Sequence, residues 1–246
     1  MYKVTPVLEE AIADIRDGAT IAIGGFFAAG VPRLLLQALI NQGTKGLTLI
    51  SGTGALLGAA EQMQGLLRGK QINKIIDSYA LARSATKGLK DPFEQAVKSG
   101  EVELEVWPMG TLAEKLRAAS AGIPAFYNFT GAGSVVEEVV ITNRPENATP
   151  KEVRMIDGKK CILEYALRPD YAFVHAFMGD EEGNLRYRKT ARNFNHVMAA
   201  AGRVTIAEVE NLVPPGGIDP ELIHTPGIYV QRIVRVDNVT HPITID

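Results

Sequence analysis

The sequence predicts an α/β fold: an open, largely parallel sheet covered by helices, with a small antiparallel hairpin extension. Three observations predict it. Short runs such as Thr20-Ile21-Ala22-Ile23 and Leu47-Thr48-Leu49-Ile50 are apolar on both faces, as strands covered on both sides must be. Helical patterns alternate with these runs. Glycine-rich turns follow the strand ends.

Thr5-Pro6 reads as a cap followed by proline at the first helical position, with Leu8, Ala11, Ile12 and Ile15 on one face. A strand over 20–23 leads into the turn Gly24 to Val31. Pro32 opens a helix over 33–41, with Leu34, Leu35, Ala38 and Leu39 inward and Gly43 as its stop. The strand over 47–50 ends in Ser51-Gly52-Thr53-Gly54. Ile75-Ile76 and residues 102–107 continue the rhythm. A helix over 112–119 follows, with a capping-box pattern from Thr111 to Glu114. Residues 152–156 and 161–165 flank Asp157-Gly158, a hairpin signal. Residues 171–177 and 185–188 read as a further strand pair. A helix over 194–201, a strand over 204–209 and a strand over 228–236 complete the chain. Residues 142–150, rich in Asn and Pro, read as a surface loop. No repeat or heptad interrupts residues 1–246, which read as a single domain.

Composition excludes several classes. The 246 residues are 46% hydrophobic and 22% charged, too apolar for a disordered chain. A net charge of -2 offers no basic field for nucleic acid and no polybasic membrane patch. The longest uncharged run, 118–136, is broken by proline and glycines, and the first residues lack a secretory layout, so a cytoplasmic protein with no membrane partner is expected. Cys161, the only cysteine, has no internal disulfide partner and reads as a small buried residue. Trp107 and the tyrosines read as core. His175, His196, His224 and His241 show no metal-ligand spacing, so no metal is expected.

The sharpest feature runs from Asp17-Gly18 through Ile21-Ala22-Ile23-Gly24-Gly25-Phe26-Phe27-Ala28-Ala29-Gly30-Val31-Pro32. A buried strand stops, two glycines permit close backbone approach, and a helix starts. Exposed N–H groups in such a place hold oxyanions or phosphates. An ordinary strand-to-helix turn has the same pattern, and both readings stand. The spacing is neither a dinucleotide fingerprint nor a P-loop.

This stretch resembles the signature of the A subunit of family I coenzyme A transferases, Asp/Asn-Gly/Asn, two residues, three apolar residues, Gly-Gly-Phe, then Gly and Pro. The segments Gly110 to Arg117, Ala121 to Tyr127, Ala191 to Asn195 and Ile218 to Val230 are similar to the same family in the same order. Within it the likeness is greatest to 3-oxoacid and 3-oxoadipate CoA-transferases. The resemblance implies a sugar-isomerase-like α/β scaffold and a transferase that moves CoA from an acyl-CoA to a carboxylic acid by ping-pong exchange. It implies coenzyme A as a substrate, with no permanently bound cofactor. The nucleophilic glutamate belongs to a partner B subunit, in a Ser-Glu-Asn-Gly segment this chain lacks, so no catalytic residue is assigned here and a heterotetramer of two A and two B chains is implied. Glu146-Asn147 and Glu210-Asn211 lack the following glycine and read as structural.

Gly24, Gly25, Phe26 and Gly30 are accordingly the candidate CoA-contacting residues. Ser51, Gly52 and Thr53 follow the second strand and are candidate substrate contacts, although the family often has Ser-Asn there. Gly131, within Thr130-Gly131-Ala132-Gly133-Ser134, fits a ligand contact or a plain turn equally. Arg192 and Asn193 precede a helix, placed either to meet a carboxylate or phosphate or to fix the loop. Residues 80–92 are longer than in the nearest relatives and carry Arg83, Lys87 and Lys90. These cations either hold a substrate carboxylate or the phosphates of CoA, or form a solvated helix face; Arg83, with its planar fork, is the best candidate of the three for a carboxylate. A second extension covers 139–151. Two rival readings use the same scaffold: thioester hydrolysis or ring cleavage, and a non-catalytic ligand-binding module.

Overall fold

The computed structural model describes residues 3–79, 92–138, 141–144, 146 and 150–236. In chain order the first strands are β1 (Thr20–Ile23), β2 (Leu47–Ile50), β3 (Ile72–Asp77) and β4 (Glu103–Val106). The middle strands are β5 (Ala125–Asn128), β6 (Ile141–Thr142), β7 (Val153–Ile156) and β8 (Lys159–Tyr165). The last are β9 (Tyr171–Asp180), β10 (Leu185–Arg186), β11 (Val204–Val213) and β12 (Arg232–Arg235). The helices are α1 (Leu8–Ile12), α2 (Arg33–Gln42), α3 (Ala55–Gly58), α4 (Ala60–Arg68), α5 (Pro92–Lys98), α6 (Met109–Ser120), α7 (Val135–Glu138) and α8 (Asn195–Ala201).

The large sheet has the order β12-β11-β9-β1-β2-β3-β4-β6, with β10 beside β9. Among the described residues only β6 and β10 pair antiparallel in it. The chain runs outward from β1 through β2, β3 and β4, and on the other side through β9, β11 and β12. The order therefore reverses between β1 and β9. In open α/β sheets ligands bind in the crevice past the strand ends at such a reversal.

Burial explains the continuous apolar runs. Ile21, Ile23, Leu47 and Leu49 pack with Leu35, Leu39 and Leu66 on one face. Ala22 and Ile50 pack with Leu112, Leu116, Phe194 and Met198 on the other. In α2 Leu36 is buried and Leu34 is only partly covered. Cys161 is buried.

The second sheet, β5-β8-β7, is antiparallel. Asp157 and Gly158 both take positive φ, 49° and 72°, the conformation a two-residue hairpin needs. An ion cluster ties this sheet to α6. Glu164 of β8 meets Lys115 Nζ at 3.3 Å and Lys151 Nζ at 2.8 Å. Both ammonium groups sit over the Trp107 ring, 4.0 and 4.2 Å from its centre. Burial pushes the Lys115 pKa down, against the pull of Glu164.

Several expectations fail for identifiable reasons. Helix α1 starts at Leu8 because Thr5 is taken by the sheet edge, its N–H donating to Ile233 O. Helix α6 starts at Met109, so Thr111 lies inside it and accepts from Asn128 Nδ2 at 3.1 Å. No capping box forms there, and Glu114 pairs with Arg117 instead. Residues 227–229 form a 3₁₀ turn, and only Arg232–Arg235 is strand. Tyr79 and Tyr165 are exposed, whereas Trp107 and Tyr187 are core. Strand β6 was not anticipated. It overlaps the start of the expected loop, of which residues 145 and 147–149 lie outside the described residues.

Glu164→Ala would strand two buried cations and should cost about 3–5 kcal/mol. Urea unfolding followed through the fluorescence of Trp107, the only tryptophan, measures it.

Candidate active site

The site begins where β1 ends. Gly24 N–H donates to Phe173 O of β9 at 2.9 Å, and the chain then leaves the sheet. Gly25 has φ 116° and Phe27 φ 45°. A left-handed phenylalanine is uncommon and marks a locally strained turn. Phe26 and Ala29 exchange two backbone hydrogen bonds of 2.9 Å that close the turn. Arg33, at the start of α2, donates to Ala28 O at 3.2 Å and Gly58 O at 2.8 Å, binding the turn to α3.

The turn after β2 joins it. Phe27 N–H donates to Thr53 O at 3.2 Å. Thr53 Oγ1 lies 2.9 Å from both Gly25 O and Asn193 Oδ1. Its single proton serves one of them at a time. Thus Gly25, Thr53 and Asn193 meet, although they are far apart in sequence. Gly52 packs on the Phe194 ring, where a β-carbon would come within 2.5 Å. Ser51 is fully buried at the end of β2.

The glycine pattern fits close approach by a ligand or a plain strand-to-helix turn. The atoms that approach most closely are the protein's own. A β-carbon on Gly24 would lie 1.9 Å from Asn195 Oδ1, and one on Gly30 would lie 2.7 Å from Ala191. Asn195 escaped sequence reasoning as a functional residue. Its only signal was membership of the Ala191 to Asn195 segment, because its partners are set by tertiary packing. It accepts from His175 N–H at 3.1 Å and donates to Gly30 O at 2.8 Å and Ala191 O at 2.7 Å.

An aromatic rim borders the turn. Phe26 and Phe27 meet edge to face at 5.4 Å, and Phe27 meets Tyr79 at 5.6 Å. All three rings are exposed. Beyond Asn193 a cavity of about 500 Å³ opens between α6 and α8, with Arg117, Phe194, His224 and Tyr229 among its lining. His224 Nδ1 accepts from Tyr187 N–H at 3.0 Å. Burial first, then nearby cations including Arg192, lower its pKa, so the ring is neutral near pH 7.

At the end of β3, Asp77 is buried beside Ser51 and accepts from Ser78 N–H at 2.6 Å and Tyr79 N–H at 2.9 Å. Burial raises its pKa to about 6, against those backbone donors and the Ser51 hydroxyl.

The structure brings together Gly24, Gly25, Gly30, Gly52, Thr53 and Asn193, with Phe26 on the rim and Ser51 behind the wall. Arg192 is exposed on the turn preceding Asn193. Gly131 sits in a separate turn after β5, against Val136, and no hydrogen bond or ring contact among the described residues joins it to this wall. Arg83, Lys87 and Lys90 lie outside the described residues. Glu210 and Asn211 are structural, engaged with His175 and Phe177 O. Among the described residues no group of His, Cys, Asp or Glu could hold a metal ion, and no helix is long and apolar enough to cross a membrane.

Two outcomes follow from this packing. Gly24→Ala should destabilise the chain by about 1–3 kcal/mol through overpacking. A double-mutant cycle with Asn195→Ala should show coupling above about 0.5 kcal/mol in urea melts. For Asp77, the raised folded value means the folded state holds a proton that the unfolded state releases near the ordinary carboxyl value of 3.8. Stability is therefore lost as pH rises from about 4 to about 6 and stays lost above. Asp77→Asn should gain about 3 kcal/mol relative to wild type between pH 4 and pH 7, read by urea melts at each pH.

Comparison with known proteins agrees with this geometry. The family model for coenzyme A transferase matches residues 6–236. The chain is 46% identical over 220 residues to the A subunit of succinyl-CoA:3-ketoacid coenzyme A transferase from Xanthomonas campestris pv. campestris, covering 89% of this chain and 83% of that protein. It is 42% identical over 236 residues to the same-named subunit of Helicobacter pylori, covering 96% and 93%. Glutaconate coenzyme A-transferase from Acidaminococcus fermentans superposes with a TM-score of 0.77 at 22% identity, covering 96% of this chain and 76% of that one. A point variant of the decarboxylase AibA/AibB gives 0.75 at 26% identity, covering 96% and 84%. An acyl-CoA transferase of E. coli O157:H7 gives 0.73 at 22% identity, covering 96% of this chain but 47% of that one. A switch-point wall built from the signature loop, together with a family match along almost all of its length, makes this chain a member of the coenzyme A transferase family, of the A-subunit type.

Proposed function

We propose that residues 1–246 act as one domain, the A half of an acyl-CoA:carboxylate CoA-transferase whose nucleophilic glutamate comes from a B subunit. The carrying observation is the wall itself. The turns after β1 and β2 and the segment 191–195 converge at the sheet reversal and present Thr53, Asn193, backbone and aromatic rim. The neighbouring carboxylate, Asp77, is buried and holds backbone N–H groups. Such a wall binds and orients, and among the described residues the carboxylate beside it is already engaged. The E. coli transferase supports a two-part enzyme, since this chain accounts for 47% of that longer chain.

The chemistry is a ping-pong exchange. The partner's glutamate carboxylate attacks the acyl-CoA carbonyl, and CoA thiolate leaves as an acyl-glutamyl anhydride forms. The thiolate then attacks the glutamyl carbonyl, releasing the first acid and leaving a glutamyl-CoA thioester. The second acid reverses both steps. A carboxylate is a weak nucleophile, so rate depends on positioning and on donors preset for the oxyanion. Phe26 of the exposed rim meets the CoA side of the substrate, and Gly24, Gly25 and Gly30, packed against the protein's own atoms, shape the turn that carries it. Arg192 and Asn193, both exposed, serve the acyl and acid groups, with Thr53 set against Asn193, Gly52 packed on Phe194 and Ser51 buried behind them. CoA enters only as a substrate, in the cytoplasm, and the working assembly holds two A and two B chains. The names of the curated relatives make succinyl-CoA with a 3-oxoacid the first pair to test.

The purified chain should show no CoA transfer. Mixing with a B chain bearing Ser-Glu-Asn-Gly should give transfer, and mass spectrometry should find CoA on the partner's glutamate. Turnover by the purified chain alone overturns the proposal. CoA release without dependence on an acceptor acid would assign the pair to thioester hydrolysis.

A further inference from the structure

His175 lies on β9 opposite Glu208 of β11 in the parallel register. Its imidazole is flanked by two carboxylates. Nδ1 lies 2.9 Å from Glu208 Oε1, and Nε2 lies 3.1 Å from Glu210 Oε1. A neutral imidazole has one donor nitrogen, so one lone pair would face a carboxylate oxygen at about 3 Å. Between two carboxylates, the imidazolium satisfies both contacts by donating from each ring nitrogen. Burial opposes that charge, but the hydrogen bonds and fields of Glu208 and Glu210 outweigh it and raise the pKa above its ordinary value.

Glu208 is itself engaged. Its Oε2 accepts Leu35 N–H at 2.9 Å, in the first turn of α2, the helix that begins where the glycine loop ends. The Arg33 guanidinium lies within the field of the same carboxylate. Arg188 reaches to 4.0 Å from Glu210 Oε2. From the backbone of β9, His175 N–H donates to Asn195 Oδ1, and Asn195 Nδ2 holds Gly30 O. The Asn195 amide also fills the space above Gly24.

The geometry points to His175 as the positioning residue of the glycine loop, gripping the loop through its backbone N–H and Asn195 and gripping the helix that follows through its imidazolium and Glu208. The inference rests on the reading of that loop as an active-site wall. Proton loss removes the cation between Glu208 and Glu210, and the two carboxylates then repel. Glu208 withdraws from Leu35 N–H, and the loop loses its fixed exit. The sign follows from the raised pKa: the grip is complete below about 6.5, the free imidazole value, and is lost as pH rises through the folded value. The charged groups facing the ring among the described residues are Glu208 and Glu210, with Arg33 and Arg188 behind them.

The test combines three measurements. NMR titration of the full chain should place the His175 imidazole above about 6.5, and Glu208→Gln should lower it. In the enzyme assembled with its B chain, His175→Gln should cut kcat by roughly tenfold to a hundredfold, as misplacement by about 1 Å does. KM should stay within about twofold and the alkaline fall of kcat at the imidazole pKa should disappear. Deuterium uptake in residues 24–36 should rise in the same variant. An imidazole titrating at or below its free value overturns the inference, as does a His175→Gln enzyme with wild-type kcat and wild-type exchange. If the wild-type assembly transfers no CoA, the proposed function fails, while the titration and the exchange still judge the positioning role.

Discussion

Asn195 is fully buried, and both polar atoms of its side-chain amide are engaged. One carboxamide thereby joins β9, the glycine loop and the turn that carries Arg192 and Asn193. A buried amide left partly unsatisfied costs about 1–3 kcal/mol per group, so the three pieces cannot separate cheaply. The amide also explains the absence of a side chain at Gly24, since the two atoms would collide. The placement of Thr53 against Gly25 and Asn193 depends on this arrangement. So does the mouth of the cavity beyond.

The sheet supplies the rest. Among the described residues seven strands run parallel, from β12 through β11, β9, β1, β2 and β3 to β4, and the reversal between β1 and β9 opens the crevice where the loop stands. The helices on the two faces bury the strands, which leaves the loops at the strand ends as the variable, chemistry-bearing surface. A wall of glycines, a threonine, an asparagine and an aromatic rim can orient a long substrate. In the proposed function a second chain brings the group that reacts.

Much of the fold was legible in the sequence. Strands buried on both faces show as uninterrupted apolar runs, and Asp157-Gly158 announces its hairpin because both residues tolerate positive φ. The loop from Gly24 to Pro32 was legible as a glycine-punctuated turn leaving a buried strand. Its inner logic was not. The partners of Gly24, Gly30 and Gly52 lie far along the chain, and no local pattern encodes them. The same limit hid Asn195 and detached Gly131, whose segment resembles a site but turns against Val136. Thr111 failed as a cap because the turn at Pro108 starts the helix earlier. Thr5 failed because edge pairing with Ile233 competes with helix formation.

The central claim is that this chain contributes a preformed half of a composite site. Hydrogen–deuterium exchange of the full chain, with and without the B chain, tests it directly. New protection is expected in residues 24–30, 51–54 and 189–195 on assembly, with further protection there when acyl-CoA is added. Assembly that leaves those three segments unchanged, while protecting surface elsewhere, would contradict it.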